Sequence, residues 1–238
     1  MVAESRVVPL AVVANTHEVL GLPGVDEGLL TEVERSRGAA FRSLQDRRDF
    51  VAAHLLVRMC AGCLLGVGPG LLEVVQHCAV CGREGHGRPA VAGLPGVHVS
   101  LSHTRDVVAA AAGWEPVGID VERQGTSLVN PGVLRQVLTS SELRIVDRQD
   151  HPEAAFLRHW VRKEALVKMG RATLDTLYRL DLSALLGEEP TAAVRTARFG
   201  DLYLLEWTDE RREAVAIVAS TRPARLGVAP LPLSDIGA

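Results

Sequence analysis

Hydrophobic and polar positions recur with two different periods along this chain, and each period predicts a type of element. Apolar residues spaced three and four apart predict a helix at 46–65. A charged helical pattern predicts another at 27–37, and a third is predicted at 154–170, with Gly170 as its C-cap. Alternating or short apolar runs predict strands at 7–13, 97–104, 107–112, 117–122, 191–199, 202–208 and 214–220. After residue 222 the chain is rich in Pro, Gly and Ala, which predicts a loosely ordered tail.

Composition restricts the class of protein. The chain has 238 residues, of which 47% are hydrophobic and 23% charged, which is typical of a soluble globular protein with one large or two small domains. A formal net charge of -3 gives no reason to expect nucleic acid or an anionic membrane as a partner. The absence of a signal pattern and of a long apolar run, together with four cysteines, predicts a reducing, cytoplasmic setting.

Lysine is rare in this chain, and its placement is unusual. Of 26 basic residues only Lys163 and Lys168 are lysines, and they bracket Glu164 in a predicted helix. A lysine ammonium is a compact charge suited to single phosphate oxygens, whereas arginine offers a planar fork. The alternative is a solvated helix face with an ordinary Glu–Lys pair.

A predicted strand carries two carboxylates on one face. Asp120 and Glu122 are two positions apart, so both point the same way, while Ile119 and Val121 point into a core. Paired carboxylates repel unless a cation lies between them, and hard oxygen ligands suit magnesium. If the helix turns Glu164 toward this strand, it supplies a third carboxylate. The alternative is a solvent-facing acidic strand edge.

The cysteines suggest a second, separate metal hypothesis. Cys78 and Cys81 have the spacing of a metal knuckle, and His86 follows them, so a Cys/His site is conceivable. A loop with two reduced thiols explains the same residues. Cys60 and Cys63 fall inside a predicted helix, where they serve as small hydrophobic residues.

Four segments occur in an order that resembles a known family. They are Gly-Arg-Pro (87–89), Val-Ser-Leu-Ser-His-Thr (99–104), Gly-Ile-Asp-Val-Glu (118–122) and Trp-Val-Arg-Lys-Glu-Ala-Leu-Val-Lys (160–168). Together they resemble the Sfp-type 4'-phosphopantetheinyl transferases. The resemblance implies an α+β fold of two similar halves related by a pseudo-twofold axis, each a small sheet packed with helices. We expect these halves at 1–112 and 113–222, followed by the tail at 223–238.

The resemblance also implies an activity, that of a holo-[acyl-carrier-protein] synthase type enzyme. The 4'-phosphopantetheine arm of coenzyme A would pass to a serine hydroxyl of an apo acyl or peptidyl carrier protein, releasing 3',5'-adenosine bisphosphate. Mg2+ on the pyrophosphate would be held by Asp120, Glu122 and Glu164. Glu164 would be the general base, and Lys168, with Lys163, would contact coenzyme A phosphates or stabilise the leaving group.

Further coenzyme contacts follow from the same resemblance, at Arg37, Arg88, Ser102 and His103. Ser102 and His103 are neighbours on a strand, so their side chains diverge and do not form a nucleophile–base pair. The family implies a cytoplasmic monomer serving fatty acid, polyketide or nonribosomal peptide biosynthesis, with no nucleic acid or membrane partner. Two alternatives remain open: a metal-dependent phosphohydrolase that uses the same carboxylates, and an inactive carrier-binding scaffold.

Overall fold

The protein consists of strands and helices in mixed order. The computed structural model describes residues 8–78, 81–125, 131–185 and 193–228. The strands are β1 (Leu10–Asn15), β2 (Val74–His77), β3 (Glu84–Val91), β4 (His98–Thr104), β5 (Val107–Gly113), β6 (Val117–Arg123), β7 (Val194–Phe199), β8 (Leu202–Asp209), β9 (Ala214–Ser220) and β10 (Arg225–Val228). The α-helices are α1 (Thr16–Leu20), α2 (Glu32–Ala39), α3 (Leu44–Leu65), α4 (Pro131–Val137), α5 (Ser140–Val146) and α6 (Pro152–Met169). Short 3-10 turns occupy Glu27–Leu29, Pro69–Leu71, Leu174–Arg179 and Ser183–Leu185.

The strands form two sheets with a repeated topology. One sheet has the order β10-β1-β5-β4-β3-β2, and the other has the order β6-β9-β8-β7. The run β1-β5-β4-β3 therefore corresponds to β6-β9-β8-β7, and all of these neighbouring pairs are antiparallel. A long helix, α3 or α6, follows the first strand of each run. The expected α+β fold of two similar halves is confirmed.

The buried side chains show that the layers are stacked in the order α3, first sheet, second sheet, α6. On β1, Leu10 and Val12 pack toward α3, whereas Ala11 and Val13 lie in the core between the sheets. On β9, alternate residues pack against the first sheet and against α6. Both sheets are thus covered on both faces, which explains why β5 and β9 are continuous apolar runs rather than alternating ones.

Most predicted elements are confirmed, with shifted ends. The helix predicted at 46–65 is α3, and the helix predicted at 154–170 is α6, which ends at Gly170 in the left-handed conformation. The helix predicted at 27–37 is divided between a 3-10 turn and α2. The tail begins with an element that the composition did not predict, since β10 pairs in parallel with β1. Residues 7, 191–192 and 229–238 of the predicted segments lie outside the described residues.

No helix in the described ranges has both the length and the apolar character required to cross a membrane.

Candidate active site

The site is built where β6 lies directly against α6. Val117, Ile119 and Val121 fill the core between the sheets, so the alternate positions of β6 turn toward the helix. Gly118 permits this contact, because a Cβ there would overlap the backbone carbonyl oxygen of Ala165. The strand that carries Asp120 and Glu122 therefore runs along the helix that carries Glu164 and Lys168.

Asp120 has a side chain with one satisfied and one unsatisfied oxygen. It is buried, with 4% of its surface exposed. Its Oδ1 accepts hydrogen bonds from Ser102 Oγ at 2.8 Å and from Lys168 Nζ at 2.7 Å. Its Oδ2 is buried without a hydrogen-bond partner among the described residues. A buried carboxylate oxygen normally has a partner, so this atom is placed to accept a ligand.

The two neighbouring carboxylates, Glu122 and Glu164, have too little positive charge around them to balance their own. Burial, and then the charge of Asp120, raise the pKa of Glu122 to about 7, and the same two causes raise the pKa of Glu164. Lys168 lowers both pKa values without cancelling the increase. One buried and two half-buried carboxylates with one ammonium among them are short of counter-charge, and a divalent cation bound by oxygens would supply it. The donor set therefore fits Mg2+.

Two hydrogen bonds position Glu122, and both come from residues outside the set of predicted site residues. Thr104 at the end of β4 and Trp160 on α6 each hydrogen-bond the Glu122 side chain and lower its pKa. Helical spacing predicts only that Trp160 shares a face with Glu164. The N–H of a tryptophan ring can only donate a hydrogen bond, so a partly buried tryptophan needs an acceptor nearby. The acidic residues on the facing strand were therefore the signal from which the contact of Trp160 with Glu122 could have been predicted.

A cavity of about 270 Å3 lies beside the carboxylates. Four predicted coenzyme-contacting residues line it together with two aromatic rings: Arg37, Ser102, His103, Lys168, Phe41 and Phe50. Ser102 and Lys168 also bond to Asp120, so the cavity and the carboxylate group are adjacent. The cavity thus has the cations Arg37 and Lys168 and aromatic rings in its walls and lies beside an acid, Asp120, which suits a phosphorylated aromatic ligand with a metal ion.

Arg37 reaches this cavity from the first half of the chain. Its guanidinium lies 5.2 Å from the centroid of the Phe50 ring and donates to the Gln76 side chain at 3.1 Å. It also donates to the carbonyl oxygen of Gly85 on β3. Arg35, on the same helix, instead bonds to Glu32 and to the carbonyl oxygen of Leu30. Only the first of these two arginines lines the cavity.

Arg88 lies near the same end of α6. A Cβ added to Gly170, the residue that ends the helix, would overlap the Arg88 guanidinium. Gly170 has φ of 92°, so it provides both the left-handed turn and the space for this arginine. Arg88 is exposed and does not line the cavity itself, but its contact at Gly170 is only two residues beyond Lys168 on the chain.

Lys163 does not join the site. Its side chain is completely buried, and its ammonium donates to Glu142 Oε2 at 2.6 Å, to the Val137 carbonyl at 2.7 Å and to the Leu177 carbonyl at 3.0 Å. An ammonium has three N–H groups, and all three are used. In this arrangement the structure does not bring Lys163 to the cavity, and its ammonium has no N–H group left for the coenzyme A phosphate that was predicted as its partner.

A larger cavity, of about 670 Å3, lies at the opposite end of α6. Its lining includes Asp150, Glu153 and Arg158, and none of the predicted site residues lines it. The smaller cavity, which adjoins the carboxylates and Lys168, is the better candidate for a phosphate ligand.

Comparison with known proteins identifies similar chains. Residues 116–219 match the family model of the 4'-phosphopantetheinyl transferase superfamily, and this range includes the β6 carboxylates and α6. A 4'-phosphopantetheinyl transferase, psf-1, of Bacillus pumilus is 27% identical over 138 residues, which are 57% of this chain and 55% of the relative. A 4'-phosphopantetheinyl transferase of Bacillus subtilis is 22% identical over 138 residues, 57% of each chain. The chain thus spans somewhat more than half the length of these relatives, and the resemblance drawn from its motifs is confirmed.

Proposed function

We propose that the protein transfers the 4'-phosphopantetheine arm of coenzyme A to a serine hydroxyl of an apo carrier protein, because residues 116–219 match the family model of the 4'-phosphopantetheinyl transferase superfamily. One observation carries the proposal. The buried carboxylate of Asp120, with its unpartnered Oδ2, accepts from Lys168 at the edge of a cavity that Arg37 and His103 also line. A pyrophosphate with its metal ion requires this combination of acids and cations.

The acidic residues have the role of holding a cation. Asp120, Glu122 and Glu164 would hold Mg2+, which when bound supplies positive charge to the pyrophosphate oxygens. In the described ranges, one group of residues has three candidate ligand atoms all within 4.8 Å of one another, and that group lies elsewhere in the fold. The oxygens of Asp120, Glu122 and Glu164 therefore lie further apart than they would around a bound ion. Lys168 stands among them and holds Asp120 in position.

Glu164 is proposed as the general base of the transfer. It takes the proton of the carrier serine, directly or through a water. The serine oxygen then forms a bond to the β-phosphorus of coenzyme A, and the bond from that phosphorus to the leaving oxygen breaks to release 3',5'-adenosine bisphosphate. The raised pKa of Glu164 makes it a stronger proton acceptor than an exposed carboxylate. Lys168 stabilises charge on the departing phosphate, as expected where catalysis is mostly positioning and electrostatics.

Residues in and near the cavity would hold the nucleotide. Arg37, Arg88 and His103 would contact the 3'-phosphate or the adenine side, while Phe41 and Phe50 offer aromatic surfaces for the base. Ser102 would act mainly through Asp120, to which it donates its hydroxyl hydrogen. We further propose acyl or peptidyl carrier proteins as the partners, a holo-[acyl-carrier-protein] synthase type of reaction, a monomer, and a cytoplasmic location, with the halves divided at 1–112 and 113–222.

Mass spectrometry of a carrier protein tests the proposal. An apo acyl or peptidyl carrier protein is incubated with the protein, coenzyme A and Mg2+, and the carrier is expected to gain the mass of phosphopantetheine. Release of a nucleotide while the carrier stays unmodified would instead indicate a phosphohydrolase. If several carriers and the coenzyme all remain unchanged, the protein is not a transferase of this kind.

The role of Glu164 has its own test. Glu164→Gln keeps the shape of the side chain but removes its ability to accept a proton, so transfer is expected to fall about 100-fold or more. Glu153→Gln is the matched control, because Glu153 is an exposed acid in the first turn of the same helix. Near-normal turnover by Glu164→Gln, with thermal unfolding like that of the wild type, would exclude Glu164 as the base.

A further inference from the structure

The hairpin of β2 and β3 has an irregularity near its tip. Val74, Val75 and Gln76 on β2 pair in order with Val91, Ala90 and Pro89 on β3, but the next residue, His77, pairs with Glu84. Residues 85–88 of β3 therefore have no partner in the register and form an excursion from the ladder. This excursion contains both His86 and Arg88.

Hydrogen bonds hold the excursion at two points. The Arg37 guanidinium donates to the carbonyl oxygen of Gly85, and Gln76 Nε2 donates to the carbonyl oxygen of Gly87 at 3.0 Å. The residue between these two anchors is His86, whose side chain is exposed and lies at the tip of the hairpin. Its position is thus set by the fold rather than left to a free loop.

The turn at the tip brings two thiols to the same place. Cys78 N donates to the Arg83 carbonyl at 2.9 Å, and Gly82 N donates to the Cys78 carbonyl at 2.9 Å, which closes the turn that contains Cys81. Neither cysteine is in a disulfide. One candidate ligand atom from each of Cys78, Cys81 and His86 lies within 4.8 Å of the other two, and the distance from Cys81 Sγ to His86 Nε2 is 3.2 Å.

We propose that Cys78, Cys81 and His86 bind a zinc ion at the tip of this hairpin. Two thiolates and an imidazole nitrogen are the ligands that zinc prefers, and they leave one tetrahedral position for water or another small ligand. Magnesium would not compete for this site, since it requires oxygen ligands. The site is independent of the proposed transferase reaction, although the same excursion carries Arg88 to the end of α6, so a bound ion would also fix that strand.

Metal content and a cobalt spectrum test the proposal together. The purified protein is loaded with zinc, dialysed in reducing buffer, and analysed by plasma mass spectrometry, with about one zinc per chain expected. Replacing zinc with Co2+ is expected to produce thiolate-to-metal charge-transfer absorption. Cys81→Ser and His86→Gln should each weaken zinc binding by more than the roughly 10–100-fold that loss of an outer-shell partner costs.

Two control variants make the result specific. Cys63→Ser removes a half-buried thiol in α3 and should retain zinc, as should Glu164→Gln, which alters only the carboxylate site. Retention of zinc by Cys81→Ser and His86→Gln at the wild-type level would overturn the proposal. So would a wild-type protein that holds no zinc and gives a cobalt spectrum without thiolate bands. Because the readout is metal content, the zinc proposal is tested independently of carrier modification.

Discussion

The two lysines of this chain lie five positions apart on the same helix, yet their surroundings are opposite. Lys163 is completely buried, and its ammonium is enclosed by Glu142 and two backbone carbonyls. The Lys168 side chain is 27% exposed and bonds to Asp120 at the rim of the cavity. Five residues turn an α-helix by about 140° beyond a full turn, so the two side chains leave on different faces. One face therefore builds the scaffold, and the other builds the site.

The difference shows what a lysine can do that an arginine cannot. At position 163 the three N–H groups of one ammonium match three acceptors that come from α4, α5 and the 3-10 turn at Leu174–Arg179. A planar guanidinium could not converge on a single point in this way. At position 168 the same compact charge bonds to Asp120 and also acts on the nearby Glu122 and Glu164. Rarity of lysine thus marked two constrained positions, of which only one lies at the candidate site.

The largest effect that separates the lysines is expected in stability. Lys163→Met should lower the free energy of unfolding by about 3–5 kcal/mol, because Glu142 would remain buried without its ammonium partner. Lys168→Met should lower it by less than Lys163→Met does, since the Lys168 side chain is 27% exposed and Asp120 keeps its hydrogen bond from Ser102. Urea unfolding followed by circular dichroism measures both. Equal losses in the two variants would contradict the assignment of Lys163 to the scaffold.

Only part of this contrast could be predicted from the sequence. The alternation at 117–122 placed Asp120 and Glu122 on one face, and helical spacing placed Trp160, Glu164 and Lys168 on another, because both patterns are local. The partners of Lys163 come from positions 137, 142 and 177, and no local pattern joins them. A signal was present nonetheless.

That signal is the set of residues that share a helix face with Lys163. Phe156, His159 and Leu166 are spaced at minus seven, minus four and plus three from it, so they share its face, and all three are buried. A lysine on an apolar helix face requires a buried counter-ion. The local pattern identifies Glu142 as a capping-box residue, and its second role follows only from the packing of α5 against α6. In the same way β10 could not be predicted, since its pairing partner β1 lies at the other end of the chain.

The next effect is expected in activity rather than in stability. Lys168→Met should reduce carrier modification about 100-fold, the usual loss when one preorganised charge donor is removed from a transfer site. Arg171→Met is the matched control, because Arg171 is a nearby cation that pairs with Asp201 outside the cavity. Turnover measured by carrier mass spectrometry should distinguish them. Similar rates for the two variants would show that Lys168 contributes only general positive charge.

The smallest effect concerns the pH dependence of the scaffold face. His159 packs beside Lys163 with both ring nitrogens buried and unpartnered among the described residues. Its Nδ1 is 3.6 Å from Glu142, but that carboxylate already bonds Lys163 at 2.6 Å. Burial, and then the charges of Arg162 and Lys163, lower the pKa of His159 to about 3. The folded protein therefore keeps His159 neutral at pH values where the unfolded chain protonates it.

The sign of the effect follows from this difference in proton binding. Below the ordinary histidine pKa of about 6.5, His159 binds a proton in the unfolded state but not in the folded state. The free energy of unfolding therefore falls by about 1.4 kcal/mol per pH unit until the pH approaches 3. His159→Leu should remove this contribution, making the loss between pH 7 and pH 5 smaller than in the wild type by about 2 kcal/mol. His151→Gln, at the exposed start of α6, should leave the slope unchanged. If the wild type and His159→Leu show the same slope in urea unfolding, His159 is charged beside Glu142, and Lys163 is not the only cation that this buried carboxylate holds.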